Sequence, residues 1–229
     1  MIHDTKEFSL GLGMLVGFFI ALAAFFAPLF EGGKNGLDYL DGTFNSISKD
    51  SAYYIPAVIQ SSKKHNGTQV TVTLSAKDDG QAGRMEKLFA SGGATVVRDG
   101  AKLVVSGDMG QLLAAALADA DLMFRNDGQA VTAKYGIEPR RVLYDWHQAL
   151  GSITRDLNRQ EKFPEAKAAR DVQTKAVETA YNYYGIQAVP MSELLVVALL
   201  ALAGYVLYTI WYGFAILFLF EGWGLKLEH

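Results

Sequence analysis

The hydrophobic residues of this chain are concentrated in two long uncharged runs, one near each end. The longer run, residues 194–220, holds 27 residues without a formal charge between Glu193 and Glu221. A helix of that length spans roughly 40 Å, which exceeds the roughly 30 Å hydrocarbon core of a bilayer. A buried soluble helix is the alternative, but a run of this length favours a membrane span. We therefore predict a transmembrane helix over residues 193–220.

The first run covers residues 8–30, which carry no charge, and Asp4 with Glu7 three residues later forms a helix-capping pattern before it. A cleaved signal peptide is the competing interpretation. It would have a shorter apolar region, a more basic start and a small-residue cleavage site. The segment Ala27-Pro28-Leu29-Phe30 is a poor cleavage site. We predict a permanent first transmembrane helix over residues 8–30.

Between the two runs, hydrophobic residues recur with periods of two and then 3.6, which predicts one α+β domain over residues 34–189. Val70, Val72 and Leu74 alternate with threonines, as in a half-buried strand. A helix is predicted to follow from about Asp79. The domain therefore opens with a strand and a helix.

A hairpin signal comes next. Asp99-Gly100 separates the β-rich segments 95–98 and 101–106, and this dipeptide is typical of a type I′ turn. A second helix is predicted after Asp108. The order β-α-β-β-α is most of a ferredoxin-like unit, in which one sheet is covered by two helices.

The last strand of such a unit would have to be Ala130–Tyr135. Val131, Ala133 and Tyr135 alternate there, as in a strand. The same six residues could equally form a short helix that ends at Gly136. The sequence leaves both alternatives open.

From Glu138 onward the period returns to 3.6, and Pro139 fits the first position of a helix. Pro164 marks a turn into a second helix that is predicted to end at Gly185. The two helices form a predicted helical hairpin that leads back to the membrane. Ser192 is the expected cap of the second span.

The composition excludes several classes of site and partner. The chain has no cysteine, which excludes disulfides, covalent c-type haem, thiolate metal sites and cysteine nucleophiles. Lysines and arginines nearly balance the acids over residues 34–189, so no basic field for nucleic acid is expected. The bilayer itself is the first expected partner.

The basic residues near the spans set the expected orientation. Lys6 and Lys226 lie on the side of the termini, and Lys34 lies on the side of the domain. The positive-inside rule then favours cytoplasmic termini and an exported domain, which in a Gram-negative bacterium is a periplasmic domain anchored in the inner membrane. Amphipathic rings are expected at the headgroups of both interfaces. These rings belong to Tyr181, Tyr183, Tyr184 and Trp223.

His147 is the strongest candidate for a functional side chain, because Tyr144 lies one helical turn earlier and Asp145 is nearby. A histidine beside a carboxylate can do acid–base work, but an exposed or hydrogen-bonded helix histidine is the favoured interpretation. His3 and His65 are remote from it, and His229 lies in a Leu-Glu-His ending that resembles a purification tag. We therefore expect no metal and no cofactor.

Other charged residues are expected to be solvated. Asp119 and Asp121 are two residues apart on a helix, face different directions, and are predicted to form a solvated edge. Arg140 and Arg141 could hold an acidic group of a partner, but in the first turn of a helix they are usually exposed. We expect no catalytic residue among these four.

Neither span carries an ionisable residue in its interior, which argues against a transporter. Gly13 and Gly17 form a GxxxG motif on the first helix, and Gly204 and Gly213 open two grooves on the second. Four side chains between or near those grooves carry hydroxyl or indole groups that need partners. They are Tyr205, Tyr208, Trp211 and Tyr212. We predict association with further copies of the chain or with other membrane subunits.

The sequence thus predicts a non-enzymatic, membrane-anchored scaffold or accessory subunit. The rival hypothesis is a ligand-sensing input module of a two-span receptor, which would require an output segment after Lys226. A membrane-anchored enzyme that uses His147 is the third hypothesis.

Overall fold

The computed structural model describes residues 2–225, so the predictions that rest on Lys226 and His229 lie outside the described residues. The chain divides into two units. Unit 1 combines the residues up to Ser51 with those from Gln187 onward, and unit 2 covers Ala52–Ile186. The structure is mixed helix and sheet.

Unit 1 contains α1 (Thr5–Phe26), a short 3-10 turn (Glu31–Gly33), α2 (Gly36–Ser51) and α10 (Met191–Gly222). Helices α1 and α10 are each long and apolar enough to cross a membrane. This finding supports membrane association weakly, since length and composition alone carry it.

The ends of the two long helices follow local chemistry. The side chain of Asp4 accepts hydrogen bonds from the N–H groups of Lys6 and Glu7, so the predicted cap of α1 is confirmed. Helix α1 ends at Phe26 rather than at residue 30, because a residue before proline, here Ala27, disfavours helical backbone. The prediction that Ser192 caps α10 is wrong, since Pro190 occupies the cap position without a side-chain hydrogen bond.

Unit 2 opens with α3 (Ile55–Ser62), a 3-10 turn (Lys63–His65) and β1 (Gln69–Ser75). The elements α4 (Asp79–Ser91), β2 (Thr95–Asp99), β3 (Lys102–Asp108) and α5 (Met109–Phe124) follow. The predicted β-α-β-β-α order is therefore present. The strands form one antiparallel sheet in the order β1-β3-β2.

The signals that predicted this core hold in the structure. Val70, Val72 and Leu74 point into the core and are buried. The Asp78 side chain caps α4 by accepting a hydrogen bond from the Gln81 N–H. Asp99 pairs with Lys102 across a two-residue turn, which confirms the predicted hairpin. The turn residues are Gly100 and Ala101, and of these two only Gly100 has a positive φ, so the predicted type I′ turn at Asp99-Gly100 is wrong.

The alternative of a last strand at Ala130–Tyr135 is wrong, because these residues lie in α6 (Gly128–Tyr135). Val131 and Tyr135 are four residues apart and both buried, which is the spacing of one helix face. The helix ends at Gly136, whose φ of 65° is the left-handed conformation that favours glycine. Within residues 2–225 the sheet therefore has three strands, and a complete ferredoxin-like fold is not established.

The predicted helical hairpin follows. Its first arm is α7 (Pro139–Arg159), and its second arm runs through α8 (Phe163–Val172), a π-helical segment (Gln173–Glu178) and α9 (Thr179–Tyr183). The arms pack on each other and on the core. The π-helical segment was not predicted.

Candidate functional site

The most elaborate polar cluster in unit 2 is buried and centres on Asp119 of α5. Its carboxylate accepts hydrogen bonds from Trp146 Nε1 at 2.8 Å, from the Tyr135 hydroxyl at 2.6 Å and from Lys134 Nζ at 2.8 Å. Asp119 is 0% exposed, so the prediction that it lies on a solvated edge is wrong. Asp119 lies on the helix face that points into unit 2, whereas Asp121, two residues later, lies on a face that is only partly buried.

The pKa values around Asp119 show how the cluster is stabilised. Burial raises the pKa of Tyr135, and its hydrogen bond to Asp119 raises it further. Burial alone would lower the pKa of Lys134, but its hydrogen bonds to Asp119 and Tyr135 outweigh that effect and the pKa is raised. Tyr135 therefore stays a neutral donor and Lys134 a cation at neutral pH. The cluster joins α5, α6 and α7.

A second buried carboxylate, Asp145 of α7, is tied to α4. It accepts a hydrogen bond from Gln81 Nε2 at 2.9 Å and one from Arg84 Nε at 2.6 Å. The hydrogen bond to Asp145 raises the pKa of Arg84, which keeps the guanidinium charged. Asp145 is therefore engaged in a structural bond and does not act as the partner of His147.

His147 lies beside the π-helical segment. The Gln173 amide donates a 3.0 Å hydrogen bond to the His147 carbonyl oxygen, and Glu178 Oε2 lies 3.7 Å from His147 Nε2. Both side chains are at least one-third exposed. The carboxylate next to His147 is therefore Glu178, a residue that the sequence did not single out. The sequence feature that could have pointed to Glu178 is the predicted helical hairpin, because it brings the second arm against α7.

The arginines at the start of α7 contact tyrosines of their own unit. Arg140 donates a 3.2 Å hydrogen bond to the Tyr184 carbonyl oxygen, and its guanidinium lies 5.6 Å from the Tyr184 ring centroid. Arg141 lies 5.7 Å from the ring of Tyr144 in the same way. These contacts are of the cation–π type. Both arginines therefore have contacts within their own unit that do not involve an acidic group of a partner protein.

The predicted interfacial rings differ in their surroundings. Tyr183 and Tyr184 are half-buried against the core of unit 2, whereas Tyr181 is exposed. Trp223 of unit 1 is exposed and contacts the Phe8 ring at 5.9 Å between centroids. Placement of these rings at a membrane interface stays a prediction.

A solvent-open groove of about 460 Å³ lies between the ends of α3 and α8. Its polar lining includes Lys64, Lys167 and Asp171. Lys167 and Lys175 bind Asp171 at 2.6 Å and 2.9 Å, and the hydrogen bond from Lys167 is the main cause of its lowered pKa. The carboxylate is thus engaged by ammonium groups of its own helical arm.

Helices α1 and α10 pack against each other at glycines. A Cβ on Gly11 would lie 2.6 Å from the backbone nitrogen of Leu219, and a Cβ on Gly222 would lie 2.5 Å from that of Phe8. Only residues without a side chain allow this approach. The sequence did not single out Gly222, although a small residue at the end of a span was the available signal.

The glycines that were predicted to pack lie elsewhere on the same helices. A Cβ on Gly13, Gly204 or Gly213 would meet nothing within 4 Å, so these three positions are open. A Cβ on Gly17 would lie 3.3 Å from the Trp211 ring, so Gly17 belongs to the contact between the two helices. The GxxxG motif is therefore split between an inner and an outer position.

The polar aromatic residues of α10 likewise fall into two groups, those that contact α1 and one that faces outward. Trp211 Nε1 donates a 3.1 Å hydrogen bond to the Met14 carbonyl oxygen, and the Tyr208 and Tyr212 rings pack on the buried Phe18. Tyr205 is 63% exposed, and no residue in the described part of the chain bonds its hydroxyl. Tyr205 thus places a hydroxyl group on the outer surface of the helix pair.

Within residues 2–225, no group of three or more histidine and acidic side chains is arranged to hold a metal ion. Comparisons of the chain with protein-family models, with curated proteins and with solved structures found no match.

Proposed function

We propose that the protein is a non-enzymatic membrane-anchored scaffold or accessory subunit, in which α1 and α10 cross the bilayer and unit 2 is held at its surface. The observation that carries this proposal is the outer surface of the α1–α10 pair. That surface is largely apolar and has no acidic, basic or histidine residue between Phe8 and Phe26 or between Leu194 and Phe220. The large exposed side chains include Leu10, Phe19, Ile20, Leu200 and Leu207.

An exposed apolar surface of this length is unfavourable in water and favourable in hydrocarbon. Each helix satisfies its own backbone hydrogen bonds, which is the requirement for a chain segment that crosses a bilayer. The two helices also satisfy one indole group between them, through the bond from Trp211 to Met14. The pair therefore suits lipid as its surroundings.

Unit 2 supports a structural rather than a chemical role. Its two fully buried carboxylates, Asp119 and Asp145, each bind basic and neutral donors from neighbouring helices. Such bonds fix the relative positions of α4, α5, α6 and α7. We propose that this fixed domain presents a surface to partners on the exported side of an inner membrane, with the termini in the cytoplasm.

The partners that we propose are further copies of this chain or other membrane subunits. The open positions Gly13, Gly204 and Gly213 allow another helix to approach closely, and Tyr205 offers a hydroxyl to it. Measured interhelical contacts of this kind contribute roughly 0.6–2 kcal/mol each. Several of them per chain are enough to stabilise a symmetric assembly.

The test is the mass of the purified full chain in mild detergent. We expect the parent to exceed one copy and Gly13→Leu/Gly213→Leu to contain fewer copies than the parent, because leucine fills both open positions. Val16→Leu is the matched control, since Val16 is already exposed on α1 and a leucine there closes no groove. A parent that runs as one copy in detergent, and that cross-links to no protein in the membrane, would overturn the proposal.

A further inference from the structure

The two edge strands of the sheet in unit 2 differ in whether side chains bind their outward backbone groups. On the β1 edge, the Thr73 N–H donates a 2.9 Å hydrogen bond to Asp156 Oδ2. Gln160 Nε2 donates a 2.9 Å hydrogen bond to the Thr71 carbonyl oxygen. Asp156 of α7 and Gln160 at its C-terminal cap thus occupy two of the outward backbone groups of β1. This edge is closed to another strand.

On the opposite edge, the hairpin geometry determines which backbone groups of β2 point outward. Asp99 and Lys102 flank a two-residue turn, so they are the first hydrogen-bonded pair of the ladder. Because bonded and non-bonded pairs alternate, Val97 also bonds to β3, whereas the N–H and C=O groups of Val96 and Arg98 face away from it. Among residues 2–225, nothing bonds these outward groups.

The β1 edge provides an independent check of this alternation. Val72 is paired with Val105, and Val105 is paired with Val96. The same alternation makes Thr71 and Thr73 the outward residues of β1. These are the two residues that Asp156 and Gln160 bind.

The side chains of β2 also leave its edge accessible. Val97 is 63% exposed, and Thr95 and Asp99, which point to the same side of the sheet, are exposed as well. Val96 and Arg98 point to the other side, where Arg98 lies 3.8 Å from Glu86 of α4. An exposed β-branched strand with free backbone groups is a template for another strand.

We propose that β2 pairs antiparallel with β2 of a second copy, about a two-fold axis through Val97, so that the two sheets join into one of six strands. Val97 then faces the partner's Val97, and Val96 exchanges both backbone hydrogen bonds with the partner's Arg98. Symmetry repeats that exchange, which gives four new hydrogen bonds. The outward groups identified above are the ones that this register uses.

The backbone and side-chain pairs of this register favour a second copy as the occupant of this edge. In the proposed register Asp99 faces the partner's Thr95, whose hydroxyl can donate to the carboxylate, and Arg98 faces the partner's Val96. No like charges lie opposite each other, although the strand carries both an acid and a base. The surface is therefore self-complementary, as a two-fold interface requires.

This inference rests on the proposed assembly role and names an interface in unit 2 that does not involve α1 or α10. The chain has no cysteine, so single cysteines can report on the pairing without background. The full-length variants are Val97→Cys, Thr95→Cys and Asp99→Cys. Each is oxidised mildly in detergent and in native membranes, and covalent dimers are measured on non-reducing gels.

Opposed residues of a non-bonded antiparallel pair have Cα atoms about 4.5 Å apart, which is within the range of a disulfide. Val97→Cys is expected to form dimers about tenfold faster than Thr95→Cys or Asp99→Cys alone, because those cysteines lie far from the two-fold axis. A mixture of the Thr95→Cys and Asp99→Cys proteins is expected to form a mixed dimer. Equal rates for the three single variants, or no dimer from Val97→Cys, would overturn the proposal.

A proline provides the second measurement. Arg98→Pro removes an outward N–H but no bond to β3, so it is expected to slow the cross-linking of Val97→Cys about tenfold. An unchanged rate would contradict the pairing. Gly13→Leu/Gly213→Leu in the Val97→Cys background separates the two interfaces. If Val97→Cys gives no dimer while the parent keeps its mass in detergent, the β2 interface fails and the proposed assembly through the spans stands.

Discussion

The indole of Trp146 on α7 donates a 2.8 Å hydrogen bond to the carboxylate of Asp119 on α5, and both residues are 0% exposed. A buried carboxylate is stable only when its charge is compensated, and here Lys134 supplies the opposite charge. The same carboxylate accepts from Tyr135, so three donors from two other helices converge on it. Asp119 therefore holds the helical part of unit 2 together.

Asp119→Ala is expected to lower the free energy of unfolding by about 3–5 kcal/mol, since it leaves the buried Trp146 indole N–H without an acceptor and Lys134 without its opposite charge. Asp121→Ala is the matched control on the same helix. Asp121 pairs with the exposed Arg125 and accepts a 2.6 Å hydrogen bond from the Tyr53 hydroxyl, so its loss is expected to cost less, about 1–2 kcal/mol. Urea denaturation in detergent, followed by tryptophan fluorescence, measures both variants. Equal losses would show that the Asp119 cluster is not a major source of stability.

His65 is expected to make unit 2 sensitive to acid. It is buried, and no described residue bonds its Nε2. Burial lowers its pKa below the ordinary value of 6.5, and nearby Lys64 adds to this effect, while Glu165 opposes it. Below pH 6.5 the unfolded chain therefore binds more protons at this residue than the folded chain does. The contribution of His65 to the free energy of unfolding is therefore complete above pH 6.5, and it falls as the pH decreases toward the pKa of the folded state.

The measurement is the thermal midpoint of parent and His65→Gln between about pH 8 and about pH 5. The parent is expected to lose stability over the acidic half of that range, whereas the variant, which has no imidazole, shows a smaller slope. Parallel curves for the two proteins would mean that His65 does not carry the effect.

Gly110 on α5 is expected to tolerate no side chain. A Cβ there would lie 2.7 Å from the Asn66 Cα and 2.8 Å from the Asn66 nitrogen, and backbone cannot move aside easily. Gly110→Ala should cost about 1–3 kcal/mol in unfolding free energy. Gly83→Ala on α4 is the control, because its Cβ would meet only the mobile end of Arg98, and alanine favours a helix by about 0.5–1 kcal/mol. A stable Gly110→Ala protein would contradict this close contact.

The close contact of α1 and α10 is expected to depend on Gly11 and not on Gly13. The pair Phe8→Cys/Trp223→Cys reports on it, since the rings of these two residues lie 5.9 Å apart between centroids. Gly11→Leu should reduce their disulfide, because leucine would push α1 away from the Leu219 backbone, and Gly13→Leu should leave it unchanged. If both leucines reduce the disulfide equally, the two helices contact each other through a different face.

Local patterns predicted much of the fold. The alternation of Val70, Val72 and Leu74 and the hairpin between β2 and β3 are set by short-range geometry, and both predictions are confirmed, although the turn lies one residue later than predicted. The six residues of Ala130–Tyr135 fit two periods, and only burial of Val131 and Tyr135 on one face decided for a helix. Short segments of this kind are determined by tertiary contacts rather than by their own spacing.

The candidate sites were less predictable, because they depend on which elements meet. Asp119 and Asp121 face different directions, as predicted, but spacing alone does not say that Asp119 faces Trp146. The partner of His147 is Glu178, which is 31 positions away in the chain and adjoins it only because the helical hairpin closes. Likewise, Gly11 rather than Gly13 meets α10, since the rotation of one helix about its axis is set by its neighbour.

Labelling of single cysteines in a Gram-negative host tests the membrane-anchored account most directly. Ile2→Cys and Tyr144→Cys place exposed thiols near the N-terminus and in unit 2 of a cysteine-free chain. A membrane-impermeant maleimide applied to sealed spheroplasts is expected to label Tyr144→Cys at once and Ile2→Cys only after permeabilisation, while both proteins stay in the membrane at alkaline pH. The reverse order of labelling would contradict the proposed orientation, and release of the chain by alkali would contradict membrane anchoring itself.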